Sequence, residues 1–521
     1  MKKILYFFLL CASFARAQQI DSIATRYSTG IVAGDLKTHL SVLASDEYEG
    51  RETGQKGQKM AAEYIRNHFV KCGIPPLEQL DRGYFQTFPL SVYQPEQIDI
   101  TAHQLTYQKI KDYYSFSAIL KDTVLNINEV VFAGYGINTV VYNDYDKLEV
   151  KNKTVLILNG EPYRADGKSM ISNDIKASDW TSNHRRKLYE ANNRGIKVLL
   201  VADDNLAESY QKNEHRINST KMEISDDTKK ATFNSPLVIY ISKEMANAII
   251  GSSKKNTDKL KSKIVAKSKP LNFTFKTKLS IAVKQEVNHI NTENVLGFIE
   301  GTDLKDEIIV ITAHYDHLGK HDGVVYNGAD DDGSGTVAVM ELAQTFANAK
   351  KQGKGPRRSM LFMPVAGEEK GLLGSDYYTL HPVFPLSKTV CDLNIDMIGR
   401  LDEAHKGNSN YIYLIGSDKL SKDLHNISEE MNKTYTKLQL DYTYNDEKDP
   451  NRYYYRSDHY NFAKNNVPVI FYFNGVHEDY HQETDEIQKI DFAKMEKITR
   501  LVFFTAWELA NRNERIKVDV K

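Results

Sequence analysis

The sequence predicts an α/β fold in which helices sandwich a mixed, largely parallel sheet, with a second, strand-rich domain inserted into it. Two observations support this prediction. From about residue 288 onward, short and almost wholly apolar runs alternate with longer segments of helical spacing. Such runs are typical of parallel strands that are covered on both faces. Between about 112 and 267 the pattern changes to short strands separated by loops rich in Lys, Asn and Asp.

The first predicted element is helical and covers about 35–74. Met60, Tyr64 and Phe69 recur there at near-helical spacing, and Gly73 is suited to end the helix.

Strand-like runs follow in two groups, judged by their apolar content and their polar boundaries. The runs of the middle region are EVVFAGYGI, KTVLILNGE, IKVLLVAD and SPLVIYIS. The runs of the last region are EIIVITAH, RRSMLFMPVAGEE, DLNIDMIG, YIYLIG and VPVIFYFNG. Helices are expected after DDDGSG, near SKDLHNISEEMNK and at DFAKMEKITRLVFFTAWELANR.

Length and composition indicate a globular protein with more than one domain. A chain of 521 residues suits two or three domains, and 41% hydrophobic with 26% charged residues is ordinary for soluble proteins. The 68 basic and 69 acidic residues nearly balance. The composition therefore has no surplus of basic residues that would indicate a nucleic-acid partner.

Residues 1–17 are predicted to be a signal peptide. Lys2 and Lys3 precede an apolar run at 4–10, and 15–17 reads Ala-Arg-Ala, a typical cleavage site. A membrane anchor is disfavoured because the run is well short of the roughly 20 residues that span a bilayer. No later segment is predicted to cross one. We therefore expect a periplasmic or secreted protein without stable membrane insertion.

The cysteines beyond this leader are Cys72 and Cys391. Export permits a disulfide between them, although two isolated cysteines more often pack in a core as small hydrophobes. The sequence leaves their pairing open, and it indicates no cysteine metal cluster.

Polar residues follow several of the predicted strands of the last region. In a parallel sheet, active groups gather at the carboxyl ends of the strands. These residues are His314 and Asp316, Glu368 and Glu369, Asp396, and Tyr480 and His481, with Asp331 at the start of a helix.

This set suits a two-metal site. Two divalent ions held close together need a shared carboxylate and further ligands on each side, and zinc accepts histidine nitrogen and carboxylate oxygen. With Asp331 as the bridge, one ion has His314 and Asp396 and the other has His481 and Glu369. Each of these residues alone is more often a hydrogen-bonded structural residue than a ligand.

Two further carboxylates of the set have other roles in this scheme. Glu368 is not needed as a ligand, so it is free to act as general base on the metal-activated water. Asp316 stands two residues after His314 on a strand, so it can point the same way and orient the imidazole.

The three aspartates of YNGADDDGSGTVAVMELA have a simpler interpretation as well. Asp and Ser are favoured at helix N-caps and glycine is favoured in turns, so a helix-capping turn explains this stretch equally well. A calcium loop fits less well, because an EF-hand spaces its acids at alternate positions and ends in a distant Glu.

The motifs AHYDHLG, NGADDDGSGTV, AGEEKGLLGS, NIDMIGR and YHQETD, in this order, resemble the zinc exopeptidase family of bacterial leucyl aminopeptidases and glutamate carboxypeptidases. The resemblance covers about 35–111 and 288–510. It implies the zinc exopeptidase fold and two zinc ions. It also implies the site residues by position: the ligands His314, Asp331, Glu369, Asp396 and His481, the base Glu368, and Asp316 behind the ligands.

The middle region, with VVFAGYGI and YEANNRGIKVLLV, resembles the protease-associated domain that many members of this family carry. The expected domains are therefore the signal peptide, 1–17, a discontinuous peptidase domain, 18–111 and 268–521, and the inserted protease-associated domain, 112–267.

Substrate-binding residues are also implied by the resemblance. Tyr480 precedes His481, where some members place a phenol that polarises the scissile carbonyl; a packing tyrosine is an equal alternative. The segment YYYRSDHYNFA resembles one that borders the substrate pocket. Its polar residues are the pocket candidates Arg456, Ser457, Asp458 and His459, and its aromatic residues fit a core equally well.

The leading hypothesis is a secreted zinc-dependent aminopeptidase that acts on peptides. A carboxypeptidase of the glutamate carboxypeptidase kind would use the same ligands and the same insert. Glutaminyl cyclase uses a related site, but the insert argues against it. A receptor-like binding protein on this fold would lack ligands, and here none is missing. The sequence does not specify an oligomeric state.

Overall fold

The computed structural model describes residues 20–116, 118–183, 185–225, 236–251 and 255–520. The predicted signal peptide, 1–17, lies outside these residues. The chain divides into two compact units: a larger one of Met1–Phe88 and Asn291–Lys521, and an inserted one of Pro89–Ile290.

The strands of the first part of the chain are β1 Phe85–Tyr93, β2 Gln97–Ala102, β3 Leu105–Tyr107, β4 Tyr113–Tyr114, β5 Thr123–Ala133, β6 Thr154–Leu158, β7 Val198–Asp203, β8 Lys221–Ile224, β9 Leu237–Ser242, β10 Asn272–Lys284 and β11 Val287–Val295. Those of the second part are β12 Gly297–Ile299, β13 Leu304–His314, β14 Gly319–His321, β15 Val324–Tyr326, β16 Arg358–Val365, β17 Thr389–Ile395, β18 Tyr411–Ile415, β19 Gln439–Asp441 and β20 Val469–Phe473.

The α-helices are α1 Ser22–Ser28, α2 Ala33–Leu43, α3 Lys56–Lys71, α4 Asp179–Ser182, α5 Arg185–Asn193, α6 Leu206–Asn218, α7 Lys243–Ile250, α8 Thr257–Lys267, α9 Gly335–Lys351, α10 Leu373–Leu380, α11 Lys422–Met431, α12 His459–Ala463 and α13 Phe492–Asn511. Among the described residues, no helix combines the length and the apolar character that crossing a bilayer requires.

The larger unit is built on a seven-stranded sheet in the order β12-β16-β13-β17-β20-β18-β19. The pairs at its centre, β16/β13, β13/β17 and β17/β20, are parallel, and so is β18/β19. The pairs β12/β16 and β18/β20 are antiparallel. The sheet is therefore mixed and largely parallel, which confirms the predicted fold class.

Both faces of this sheet are covered because its central strands are apolar on both sides. Along β13, Ile309 and Ile311 pack in a core with helices α2, α3, α9 and α13. Ile308 and Val310 point to the opposite face, where they pack with residues of α10 and α12. The near-continuous apolar character of the strand is thus explained by burial on two faces.

The predicted helical stretch at 35–74 is divided in the structure. Helix α2 ends at Leu43, a short 3₁₀ segment covers Asp46–Arg51, and α3 begins at Lys56. Gly73 follows α3 with a φ of 76°, a left-handed conformation that glycine adopts without strain.

The inserted unit contains an eight-stranded sheet in the order β3-β2-β10-β5-β6-β7-β9-β4. Its parallel part, β5-β6-β7-β9, contains the four strands that the sequence predicts in the middle region. Helices α7 and α8 pack on one face, and α5 and α6 pack on the other.

The inserted unit extends beyond the predicted 112–267 at both ends. The sequence prediction assigned 89–111 and 268–290 to the larger domain, whereas the structure places β2, β3 and β10 in the inserted sheet. Strand β10 alternates buried and exposed residues, and it pairs with both β2 and β5. An alternating pattern of this kind, typical of antiparallel strands, is a weaker sequence signal for a strand than a continuous apolar run.

Within the described residues, Cys72 and Cys391 are free thiols, and Cys391 is fully buried.

Candidate active site

The candidate site lies where four neighbouring strands of the larger sheet end. Strands β16, β13, β17 and β20 are adjacent and parallel, so their carboxyl ends meet at one edge. His314 is the last residue of β13, and Asp396 directly follows β17. Glu368 and Glu369 follow β16, and His481 lies in the chain after β20. The topology thus gathers residues that are far apart in the sequence.

The three adjacent aspartates have different partners. The Asp332 carboxylate accepts the backbone N–H of Gly335 at 2.8 Å and so caps the start of α9. The Asp330 carboxylate accepts the backbone N–H of Gly399, beyond β17, at 2.6 Å. The outer two therefore hold the turn to its neighbours, and Asp331 between them faces histidines.

One set of candidate metal donors consists of His314, Asp331 and Asp396, all buried. His314 Nε2 lies 3.2 Å from Asp331 Oδ1 and 3.6 Å from Asp396 Oδ1. The donor atoms of the set all lie within 4.8 Å of one another, close enough to share one ion.

A second set consists of His317, Asp331 and Glu369. His317 Nδ1 lies 2.9 Å from Glu369 Oε1, and His481 Nε2 lies 3.2 Å from both Asp331 Oδ2 and Glu369 Oε2. Asp331 therefore belongs to both sets, with Oδ1 toward His314 and Oδ2 toward His481.

The residues present fit a pair of zinc ions. Asp331 Oδ2, Glu369 Oε1 and both ring nitrogens of His317 are buried and make no hydrogen bond of regular geometry among the described residues, although the two oxygens lie within 3.2 Å of histidine nitrogens. Buried polar atoms are almost always paired, so four such atoms in one cluster indicate a ligand. Imidazole nitrogen and carboxylate oxygen are donors that zinc accepts, and a shared carboxylate is what two neighbouring ions require.

The electrostatics of the cluster support cation binding. Burial would raise the pKa of the Asp331 carboxyl, but the neighbouring His314 and His481 imidazoles hold it well below its ordinary value. Burial likewise opposes ionisation of Glu369, yet His317 and His481 lower its pKa to about 2. Both carboxylates are thus negatively charged at neutral pH and are available to a metal.

Glu368 belongs to neither donor set and differs from its neighbour in its electrostatics. Its Oε2 lies 3.9 Å from His314 Nε2, at the rim of the first set. Burial raises the pKa of Glu368 well above its ordinary value, and the charges of Glu369 and Asp396 act in the same direction against the opposing His314. A carboxyl group of this kind can take up a proton near neutral pH.

Asp316 contacts both the histidine and the glutamate turn. His314 Nδ1 lies 3.1 Å from the backbone oxygen of Asp316 and 3.9 Å from its carboxylate. The carboxylate instead accepts the Thr53 hydroxyl at 2.6 Å and the Glu368 N–H at 3.2 Å. The backbone carbonyl is therefore the nearer partner of the imidazole, and the Asp316 side chain fixes the turn that carries Glu368.

A chain of buried hydrogen bonds ends on Asp396. Ser457 donates to Asp396 Oδ2 at 2.6 Å, and Asn394 donates to Ser457 at 2.8 Å. The Thr312 hydroxyl lies 2.7 Å from the Asn394 oxygen and 2.9 Å from Asp392 Oδ1. Burial raises the pKa of Asp392 well above its ordinary value. The donors Asn394 and Ser457 lead toward Asp396.

A small cleft opens beside the first donor set. Arg456 and Tyr480 line it, and Arg456 Nη2 lies 3.5 Å from the Tyr480 hydroxyl. The Tyr480 ring is stacked on His481 with centroids 3.9 Å apart. Apart from the acidic residues and His314, the other residues that line the cleft are apolar or aromatic: Met397, Tyr453, Phe471, Phe473 and Val476.

The other predicted pocket residues lie behind the cleft. Ser457 acts through Asp396, as described. Asp458 is buried and accepts the Ser375 hydroxyl, and His459 is buried with its ring stacked on Phe471 at 4.7 Å. Neither Asp458 nor His459 is among the residues that line the cleft.

His317 is the one residue of the donor sets that the sequence prediction did not include. The motif AHYDHLG contains it, but strand alternation places His314 and Asp316 on one side and His317 off that side. The chain leaves β13 at His314, so the alternation no longer applies three residues later. The presence of a second histidine in this motif was the sequence feature that could have indicated His317 as a further metal donor.

Residues 294–506 match the model of peptidase family M28. Over this region the chain is similar to peptidase family M28. The match contains every residue of the two donor sets, so the zinc exopeptidase resemblance recognised in the motifs is confirmed at the level of the family.

The chain is also similar to a probable leucine aminopeptidase of Arthroderma otae, with 31% identity over 215 residues. Those residues are 40% of this chain and 56% of that protein. The chain thus spans about half the length of this relative.

Solved structures show a similar fold. An aminopeptidase from Aneurinibacillus sp. strain AM-1 superposes with a TM-score of 0.55 at 16% identity, covering 96% of this chain and 98% of that one. BSAP, a zinc aminopeptidase from Bacillus subtilis, superposes with a TM-score of 0.51 at 16% identity, covering 94% and 99%.

Proposed function

We propose that this protein is an aminopeptidase that holds two zinc ions and removes N-terminal residues from peptides. The observation that carries the proposal is the pair of donor sets that share Asp331, with Glu368 beside them and outside both. The match to the model of peptidase family M28 and the names of the relatives support the same class of reaction.

The first ion would be held by His314 and Asp396, the second by Glu369 and His481, with Asp331 between them. Zinc bound there would polarise the scissile carbonyl, and it would lower the pKa of the attacking water toward neutral pH. Ser457, which donates to Asp396 Oδ2 at 2.6 Å, keeps that carboxylate in one orientation.

Glu368 is the proposed general base. Its carboxylate would take a proton from the attacking water and deliver it to the nitrogen of the leaving amine, so that the side chain returns to its starting state. The Asp316 carboxylate positions Glu368 through the backbone N–H contact at 3.2 Å. The Tyr480 hydroxyl, at the mouth of the cleft, would donate to the oxygen of the carbonyl.

The cleft favours an apolar N-terminal side chain. Five apolar or aromatic residues line it next to the first donor set. We therefore expect peptides with an apolar first residue to be preferred.

A carboxypeptidase is the second candidate, and Arg456 is the observation that favours it. A guanidinium on the lining of the cleft could bind a peptide carboxylate. In the structure, however, Arg456 lies over the Tyr453 ring at 4.9 Å and contacts the Tyr480 hydroxyl. These contacts give the Arg456 guanidinium a structural role that does not require a substrate carboxylate.

A blocked-peptide set separates the candidates. One apolar sequence is offered with both ends free, with an acetylated amino end, and with an amidated carboxyl end, and the products are read by mass spectrometry. We expect stepwise loss from the amino end of the free and amidated peptides and none from the acetylated one. The reverse pattern would favour the carboxypeptidase. Conversion of N-terminal Gln without cleavage would favour the cyclase, and no product at all would favour a binding protein.

We also propose that the middle of the chain is a protease-associated domain and that the protein is exported. The support for the first is the likeness of the motifs in 112–267, and for the second the leader-like composition of 1–17. Mass spectrometry of the protein made in a bacterial host should find an amino terminus at or near Gln18 in the extracytoplasmic fraction. An intact Met1 on that material would contradict export by this leader.

A further inference from the structure

His317 has an imidazole that makes no hydrogen bond of regular geometry, although it is buried in a polar cluster. Its exposed fraction is 0%, and among the described residues neither ring nitrogen makes such a bond. An orphaned buried nitrogen costs free energy unless something binds it. His314, in contrast, has its Nδ1 within 3.1 Å of a backbone oxygen.

The Nδ1 atom of this ring faces the second donor set. It lies 2.9 Å from Glu369 Oε1 and 3.9 Å from Asp331 Oδ2. Its ring lies 6.0 Å from that of His481, which approaches the same two carboxylates from another side. Two imidazoles thus converge on one pair of carboxylates.

The surroundings hold the ring in this position before any ligand binds. The His317 backbone N–H donates to the Arg51 oxygen at 3.2 Å. Gly328, with a φ of 53°, lies against the ring, and a Cβ there would come within 2.5 Å of His317 Cγ. Arg51 in turn donates to the Gly328 oxygen at 2.9 Å. The glycine therefore makes space for the imidazole, and the arginine fixes the glycine.

A buried histidine without partners is not by itself a ligand, and His459 provides the comparison. Both of its ring nitrogens also lack partners, but its ring is stacked on Phe471, in an aromatic cluster. His317 differs because two carboxylates that belong to a donor set lie within 4 Å of its Nδ1.

We propose that His317 binds the second zinc ion through Nδ1, in addition to His481. This inference rests on the proposed two-zinc function. The second ion then has two imidazoles with Glu369 and the shared Asp331, whereas the first has His314 with Asp396 and Asp331. Imidazole-rich sites suit zinc better than carboxylate sites do, so the second ion should be retained more tightly.

The direct test uses the wild-type protein labelled with ¹⁵N in its histidines. Long-range ¹H–¹⁵N spectra of the apoprotein and the zinc-loaded protein report which ring nitrogens coordinate. We expect three coordinated rings, of which one binds through Nδ1 and two through Nε2. Two coordinated rings, both through Nε2, would overturn the proposal, and this reading does not depend on any variant folding.

The second test compares His317→Ser with His381→Ser, an exposed histidine of the same unit. Zinc is titrated away with a chelator, and metal content is measured by plasma emission. We expect wild type and the His381 variant to release their ions alike, and His317→Ser to hold one ion roughly tenfold or more weakly. Equal retention by all three would overturn the proposal.

The outcomes also separate this inference from the function on which it rests. If the wild type fails to hold two zinc ions or to shorten peptides from the amino end, the proposed function is wrong. If it does both while His317 is uncoordinated, only the assignment of His317 is wrong.

Discussion

Glu368 and Glu369 are neighbours in the chain but belong to different environments. The Glu369 carboxylate contacts His317 and His481, which keep it ionised. Glu368 approaches only the His314 side of the cluster, and burial favours its protonated form. The proposed division between a ligand, Glu369, and a proton carrier, Glu368, is consistent with these different surroundings.

Substitution of Glu368 by Gln tests this division. The amide has nearly the same shape but cannot accept the proton, so we expect a loss of about 10²–10⁴ in kcat with both zinc ions retained. Turnover and metal content are measured on the same sample. Full activity in the variant would show that another group moves the proton.

Substitution of Asp331 by Asn should act on the metal instead. The amide removes the negative charge that lies between the two donor sets, and it replaces one of the two donor oxygens by nitrogen. We expect at least one zinc ion per chain to be lost on dialysis, together with activity. Plasma emission of the dialysed protein decides this, and retention of both ions would contradict the bridging role.

At the scale of elements, the site depends on a buried arginine that ties separate segments together. Arg51, fully buried, donates to the backbone oxygens of Tyr315, Leu43, Asn327 and Gly328 at 2.6–2.9 Å. These oxygens belong to α2, to the chain just after β13 and to the segment before α9. The segments that carry the donor residues are thus joined through one guanidinium.

Substitution of Arg51 by Lys should therefore be severe despite the conserved charge. One ammonium group cannot reproduce a planar fork with four acceptors, and it leaves buried carbonyls unpaired. We expect a loss of roughly 3 kcal/mol or more in the free energy of unfolding and weaker zinc binding. Arg82→Lys, at an exposed ion pair with Glu63, is the control and should change stability by less than about 1 kcal/mol. Chemical denaturation of the zinc-loaded proteins measures both, and similar stability of the two variants would contradict the role of Arg51.

The sequence predicted the central strands of the larger sheet well because these strands are buried on both faces and are therefore almost continuously apolar. It also placed His314 and Asp396 at strand ends, where the sheet topology brings them together. It could not show that Asp316 reaches the imidazole through its carbonyl, because backbone contacts leave no trace in residue type. Nor could it place His317, which lies in an irregular segment, or Asp458 and His459, whose orientation depends on the packing of α12.

At the scale of the whole molecule, a buried acid in α9 makes stability depend on pH. Glu341 is fully buried, with His39 Nε2 3.7 Å away. Burial, with a smaller contribution from Asp35, raises the pKa of Glu341 from 4.5 to about 8. The folded chain then keeps a proton that the unfolded chain releases above about pH 4.5. The free energy of unfolding therefore falls as pH rises from there to about 8.

Substitution of Glu341 by Gln should remove this dependence. We expect the variant to match wild type at pH 5 and to be more stable at pH 8 by roughly 2–4 kcal/mol. Differential scanning calorimetry at the two pH values measures the difference. Glu300→Gln, at an exposed residue, should shift neither value. Equal stabilities of the Glu341 variant and wild type at pH 8 would show that Glu341 ionises without cost.

The position of the insertion has a consequence for synthesis on the ribosome. The core of the larger unit combines residues from before the insertion, such as Leu40 and Phe69, with residues from after it, such as Ile311 and Phe503. The inserted unit, Pro89–Ile290, is continuous in the chain and has cores of its own. Domains generally fold as units while the chain emerges. We therefore expect the middle of the polypeptide to reach its native state first. The amino-terminal segments have emerged by then, but they should remain unfolded until the C-terminal strands that complete their core are synthesised.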